Sequence, residues 1–125
     1  MLAVAPGNVT LHWRRPEWPH TGRTAAEAGQ FESYLRVPEQ LGGVFEACLI
    51  DGRSRVEAAK RVAPVLKPGG WLFYHDWFAR DRYRDRLGEM LEDYALCEEL
   101  SVTGTTQTLA VFRRNSAASG TTKAS

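Results

Sequence analysis

Neither sign of charge is in excess in this sequence. Sixteen Lys and Arg stand against 15 Asp and Glu, for a formal net charge of +1. That balance gives no reason to expect nucleic acid or a membrane surface as a partner, since both select for basic faces. Cysteine is scarce: Cys48 and Cys97 are far apart and lack metal-ligand spacing, so both are expected to be buried thiols rather than a disulfide or a metal site. Long apolar runs are absent as well. Nothing approaches the roughly 20 residues that cross a bilayer, and residues 1–6 are too short for a signal peptide, so a cytoplasmic protein is expected. No strand near the start leads into a G-x-G turn, which leaves the chain without the usual dinucleotide fingerprint. No internal repeat is visible.

What is present is the composition of one globular α/β domain. The 125 residues are 43% hydrophobic and 25% charged, enough to enclose a core. The chain is organised around residues 44–76, VFEACLIDGRSRVEAAKRVAPVLKPGGWLFYHD. Residues 44–50 form a nearly continuous apolar run, the pattern of a strand covered on both faces, and Asp51-Gly52 ends it as a turn. Val56, Ala59, Val62, Ala63 and Leu66 then recur at three- and four-residue spacing, which predicts a helix with one buried stripe. Ser54 and Glu57 read as its capping box. Pro64 falls where the last turn loosens, and Lys67-Pro68-Gly69-Gly70 completes the stop. Residues 71–74 are a second apolar strand ending at His75-Asp76. A right-handed crossover lays the two strands parallel and brings Asp51 and His75-Asp76 to one edge of the sheet. That carboxyl edge is where open α/β sheets bind ligands.

The flanks are less marked. Residues 2–5 are briefly apolar, and residues 9–13, VTLHW, alternate like a short strand. Residues 14–24 are a loop, where His12, Trp13, Trp18 and His20 either line a pocket or pack as aromatics over the sheet. Residues 25–35 form a helical turn or two, with Phe31, Tyr34 and Leu35 on one side. After Asp76, residues 81–94 read as a helix whose stripe is Tyr83, Leu87, Met90, Leu91 and Tyr94. Its mixed charges mark a solvated face. Residues 97–103 and 108–113, turning at Gly104, read as a closing β-hairpin. The small, polar residues 115–125 are expected to be a disordered tail after a domain spanning 1–114.

FEACLIDGRSR, LKPGGWLFYHD and RDRY together resemble the carboxyl-terminal half of class I S-adenosylmethionine-dependent methyltransferases, over residues 31–114. The order is similar too: in that fold a helix joins the fourth and fifth strands, another helix follows, and an antiparallel hairpin ends the sheet. Residues 9–13 look like the family's third strand. The resemblance implies a partial Rossmann-like sheet that lacks the amino-terminal, glycine-rich half holding the methyl donor. A fragment, a degenerate domain or one half of a split protein would each give such a chain. It further implies that Asp51, Gly52 and Arg53 lie beside S-adenosylmethionine, that Asp51, His75 and Asp76 are catalytic, and that Arg53, Arg55, Arg80 and Tyr83 meet a small-molecule acceptor.

Some small-molecule O-methyltransferases hold a divalent metal at the ends of the matching strands. Asp51 with Asp76 would be that pair, suited to Mg2+, although Trp77 follows where those enzymes commonly have Asn. His75 reads either as a general base or as a structural ring bonded to the neighbouring loop. Arg53 and Asp76 have the alternative of pairing with each other. Besides methyl transfer, two functions remain open. One is a non-catalytic module that pairs with itself or a partner chain through an exposed sheet edge; the other is a nucleotide-binding α/β enzyme such as a dehydrogenase.

Overall fold

The computed structural model describes residues 7–19, 28–77 and 85–116. Two short helices, α1 (Glu32–Leu35) and α2 (Val37–Leu41), precede strand β1 (Phe45–Ile50). Helix α3 (Arg55–Val62) crosses over to strand β2 (Leu66–His75), and a single helical turn, α4 (Leu87–Met90), leads to the hairpin of β3 (Tyr94–Ser101) and β4 (Thr108–Arg114). The result is a four-stranded mixed sheet of order β1-β2-β4-β3. β1 and β2 are parallel, with Cys48 beside Leu72 and Ile50 beside Tyr74. β4 is antiparallel to both its neighbours. The strand-helix-strand unit and the terminal hairpin are therefore where the sequence pattern places them.

One face of this sheet is buried and the other is not. Ile50, Leu72, Tyr74, Ala110 and Phe112 point to the side where α3 lays Val56, Ala59 and Val62, and Trp77, Met90 and Tyr94 complete the core. Its aromatic rings meet edge to face, with centroids 4.9 Å apart for Tyr74 and Trp77 and 5.2 Å for Trp77 and Phe112, a preferred aromatic geometry. The buried Tyr94 hydroxyl donates to the Ala59 carbonyl at 2.6 Å, tying the hairpin to α3. On the opposite face Leu49 is 62% exposed, and Trp71 and Leu100 are also open. The expectation that β1 is covered on both faces is thus corrected: α3 packs on one side only, and Ala47 and Leu49 face outward. A continuous apolar run cannot by itself distinguish two covered faces from one.

Other local expectations are corrected by specific contacts. Ser54 lies in the left-handed region at φ 51°, with no side-chain capping bond; Glu57, the other half of the expected box, instead meets Arg86 at 2.7 Å. Lys67 to Gly70 belong to β2 rather than to a stop before it. Pro64 sits in a 3-10 turn, Ala63–Val65, directly after α3, so its missing N–H is not demanded by the helix. Residues 9–13 form no strand, and α2 has no counterpart in the sequence reading.

The long helix over 81–94 contracts to α4 and following turns. Leu91 is exposed, and Tyr94 already begins β3. Residues 81–84, including Tyr83 of the expected stripe, lie outside the described residues, as do 1–6, 20–27, 78–80 and 117–125. Cys97 is exposed and Cys48 half-buried, which corrects the reading of both as buried thiols. The β3–β4 register shifts between Leu96 and Glu98, so the alternation lapses at Cys97. No helix among the described residues is long and apolar enough to cross a membrane.

The Pro-Gly-Gly segment has a steric explanation. Gly69 has φ +78°, and a Cβ on Gly70 would lie 2.8 Å from the Lys67 carbonyl oxygen and 3.0 Å from that of Glu46. Both obstacles are backbone, and the second belongs to β1, so the glycine allows the two parallel strands to close. Gly70→Ala is expected to destabilise the chain by about 1–3 kcal/mol, read as a lower midpoint in urea denaturation.

Ion pairs fasten α1 and α2 to α3. Arg61 reaches Glu32 at 2.7 Å and Glu39 at 3.0 Å. Hydrogen bonds from Arg61, then from Arg36, hold the Glu32 carboxyl below the usual carboxylate range. A carboxyl whose folded pKa is depressed stabilises the fold above its unfolded pKa and loses that contribution as pH falls through the folded value. The stability gap between wild type and Glu32→Gln should therefore be present at pH 6 and close under acid. Paired denaturation curves from pH 6 down to about pH 3, below the ordinary Glu pKa, check this.

Candidate functional site

β1 and β2 run parallel and end side by side, and the turns that follow them meet around Arg55. Its side chain is only 14% exposed. The guanidinium donates through Nε to the Gly52 carbonyl at 2.8 Å and through Nη1 to the His75 carbonyl at 2.6 Å. It also lies 3.4 Å from Asp51 Oδ1 and 3.9 Å from Asp76 Oδ2. One planar cation thus joins both strand ends by their backbone and stands between their two carboxylates, a use that suits the fixed fork of arginine.

His75 completes the cluster. Its Nε2 is 2.8 Å from Gln107 Oε1, in the turn between β3 and β4. Nδ1 lies 3.0 Å from Asp51 Oδ1 and 3.3 Å from Asp76 Oδ2, but neither contact has the alignment of a hydrogen bond. The ring is therefore tied to the neighbouring loop through one nitrogen and turns the other toward the carboxylates. Asp76 is held at φ +58°, and its N–H donates to the Thr108 carbonyl at 2.8 Å.

Among the described residues the two non-glycine positions with positive φ are Ser54 and Asp76, both beside these strand ends. Left-handed backbone away from glycine costs on the order of 1 kcal/mol or more and tends to gather at functional sites. Tyr34 of α1 closes the arrangement from above: a Cβ on Gly52 would lie 2.6 Å from its hydroxyl oxygen. Burial raises the Tyr34 hydroxyl above its ordinary pKa, so it meets the site as a neutral group.

Asp51, Gly52, Arg55, His75 and Asp76 are thus brought together. Arg53 stands exposed on the same turn. Arg80 and Tyr83 lie outside the described residues. Asp76 lies 3.9 Å from Arg55. Gln107 and Tyr34 were missed: Gln107 carries no motif, and Tyr34 had been noted only for its helical spacing. His12 and Trp13 are exposed, and Trp18, 39% exposed, comes within 3.8 Å of where a Cβ on Gly29 would lie. His20 lies outside the described residues.

The residues do not fit a divalent metal. No group of three or more His, Cys, Asp and Glu among the described residues is arranged to hold one. The Arg55 guanidinium already supplies the positive charge between Asp51 and Asp76 that a cation would bring. Trp77, where an oxygen ligand would extend the set, is fully buried, and its indole N–H donates to Glu99 at 3.0 Å.

No family model matches the sequence, and no curated protein does. Two solved structures are similar in shape. One is a methyltransferase from Pyrococcus furiosus, with TM-score 0.45 and 11% identity, covering 61% of this chain and 43% of that one. The other is the N-methyltransferase NodS from Bradyrhizobium japonicum WM9 in complex with S-adenosyl-L-homocysteine, with TM-score 0.41 and 21% identity, covering 58% and 47%. The chain spans less than half the length of either. Likenesses this partial carry no argument for the site, which rests on its own geometry.

That geometry makes Arg55 the part whose removal should be felt most. Arg55→Met removes two backbone hydrogen bonds and leaves two carboxylates without their cation. A loss of roughly 2 kcal/mol is expected, counting about 1 kcal/mol for each hydrogen bond. Arg55→Lys should recover little, because one ammonium cannot reproduce the two-pronged contact. Urea denaturation of both variants checks the expectation.

Proposed function

We propose that this chain is an S-adenosylmethionine-dependent methyltransferase-like domain. It would act on a small-molecule acceptor when completed by further sequence or a partner chain, and it would be weak or inactive alone. The carrying observation is the convergence of Asp51, His75 and Asp76 on the carboxyl edge of a parallel strand pair, the position at which open α/β sheets bind ligands.

In this reading Asp51, Gly52 and Arg53 form one wall of the cofactor site. The partly exposed Asp51 carboxylate accepts hydrogen bonds from amino or hydroxyl groups of the methyl donor, and the absence of a side chain at Gly52 leaves room for close approach. Bound there, S-adenosylmethionine supplies the methyl group. An oxygen or nitrogen of the acceptor forms the new bond to carbon as the carbon–sulfur bond breaks, and the acceptor's proton must pass to a base. His75 and Asp76 are the groups at hand for that proton, with Gln107 and Arg55 fixing their positions. Arg53, exposed on the turn, would meet an anionic group of the acceptor, a role also given to Arg80 and Tyr83 by the sequence. Arg55 is engaged internally and is better suited to positioning Asp51 and Asp76 than to contacting the acceptor. Mg2+ has no part in this scheme.

Isothermal titration with S-adenosylmethionine and S-adenosylhomocysteine, with and without magnesium, tests the reading. The expected result is binding with a Kd near or below about 100 µM, roughly 5.5 kcal/mol, indifferent to magnesium and lost in Asp51→Ala. No heat from folded protein would remove the cofactor assignment from this chain.

A further inference from the structure

Two segments far apart in sequence each lack what the other offers. β1 is an edge strand: β2 pairs with one side of it, and no described residue pairs with the other. Such an edge is ordinarily protected by proline, lysine, a bulge or a cover. The opposite edge, β3, does carry a register shift and the adjacent charges Glu98 and Glu99. β1 reads Phe-Glu-Ala-Cys-Leu-Ile, with no proline or lysine; its pairing with β2 also shifts register, between Phe45 and Ala47, but the stretch from Ala47 to Ile50 is regular and carries no charge. Besides Leu49, the neighbouring Leu41 and Val44 are exposed large hydrophobics.

The second segment is residues 8–13. It alternates as a strand does, with Val9, Leu11 and Trp13 on one side and Thr10 and His12 on the other, yet it has no strand partner. Val9, Leu11 and Trp13 are 45%, 51% and 64% exposed. The root of this arm is fixed, since the Glu17 N–H donates to the Gln30 carbonyl at 2.8 Å and the Ser33 hydroxyl donates to the Glu17 carboxylate. Among the described residues, six of the eleven exposed large hydrophobics lie on the arm, on β1 or beside it.

We infer that the free edge of β1 is an interaction surface, and that its occupant is the 8–13 arm of a second copy of this chain, added as a fifth strand. The lengths are close, because β1 is six residues long and the arm supplies five of strand pattern, residues 9–13. Placing Val9, Leu11 and Trp13 on the face that carries Ala47, Leu49 and Trp71 would cover apolar surface on both segments. The arm ends in Arg14-Arg15, and the carboxylate on β1 itself, Glu46, is 84% exposed, with Lys67 at 3.4 Å as its neighbour. Main-chain hydrogen bonds would supply affinity and the alternating side chains selectivity, as in other cases of strand addition. Reciprocal exchange closes a two-fold dimer with two equivalent joints. This inference is independent of the methyltransferase reading.

The test is the mass of the full chain in solution, by sedimentation or light scattering across a dilution series. Wild type is expected to populate a species of twice the chain mass. Leu11→Lys spoils the arm and Leu49→Lys spoils the edge, and each alone should weaken association by about tenfold or more. Mixing the two variants should recover a dimer held by a single joint, because the arm of one and the edge of the other remain intact. A wild type that stays monomeric throughout would overturn the inference. So would a dimer that survives Leu11→Lys, since that would mean pairing between two β1 edges or between two sheet faces. Leu11 is an exposed arm residue, so its variant decides the matter even if Leu49→Lys impairs folding, which far-UV circular dichroism would reveal.

Discussion

The Arg55 guanidinium is the constraint on which the site depends. The crossover from β1 through α3 to β2 brings two strand ends together, but side-by-side ends are not in themselves a fixed geometry. Gly52 and His75 are held to one another because both carbonyls accept from the same rigid cation. Asp51 and Asp76 can stand near each other because that cation lies between them. The positive φ of Asp76 becomes tolerable in this setting, with its N–H bonded to Thr108 and its carboxylate facing Arg55. An exposed ion pair contributes little to stability; this one is consequential because the arginine is largely enclosed and also satisfies backbone oxygens.

A second consequence concerns the rest of the sheet. All of the described helices that pack on it do so from the side of α3, so the core is a single layer of aromatic and aliphatic contacts. The outer face is not open everywhere: Val111 of β4 is buried there, and the Arg113 guanidinium lies 5.1 Å from the centre of the Trp71 ring and donates to the Gly69 carbonyl at 3.0 Å. That contact covers apolar area with a charged side chain, and it lies on β2 and β4 rather than on the β1 edge.

Much of this was legible in the sequence because it depended on short-range pattern. The period of 3.6 over Val56, Ala59 and Val62, the turn at Asp51-Gly52 and the apolar run before His75-Asp76 define the strand-helix-strand unit, and its handedness brings the two ends to one edge. The alternating Thr, Val, Leu and Phe residues marked the hairpin. The failures came where a tertiary contact overrode a local signal. Glu57 had capping spacing but was drawn to Arg86. Leu91 had core spacing, but the chain leaves the helix at that residue. Residues 9–13 had strand spacing, but a strand needs a neighbour and the described residues provide none. The roles of Gln107 and Tyr34 could not have been read at all, because each acts through a distance across the fold rather than through a motif.

The same reasoning bears on which chemistry the site can support. A carboxylate pair at two adjacent strand ends is, as a sequence pattern, equally a metal site and a salt-bridged clamp. The distinction lies in what occupies the space between the carboxylates, and Arg55 comes from the first turn of the crossover helix itself. With that guanidinium in place a divalent cation would meet a fixed positive charge within a few ångströms, an arrangement that opposes binding. An amine or sulfonium approaching the exposed side of Asp51 would meet the carboxylate first, and a hydroxyl could donate to it without carrying any charge. The two chemically identical groups differ in surroundings: both lie within 4 Å of the Arg55 guanidinium, but the Asp51 side chain is 52% exposed and that of Asp76 26%.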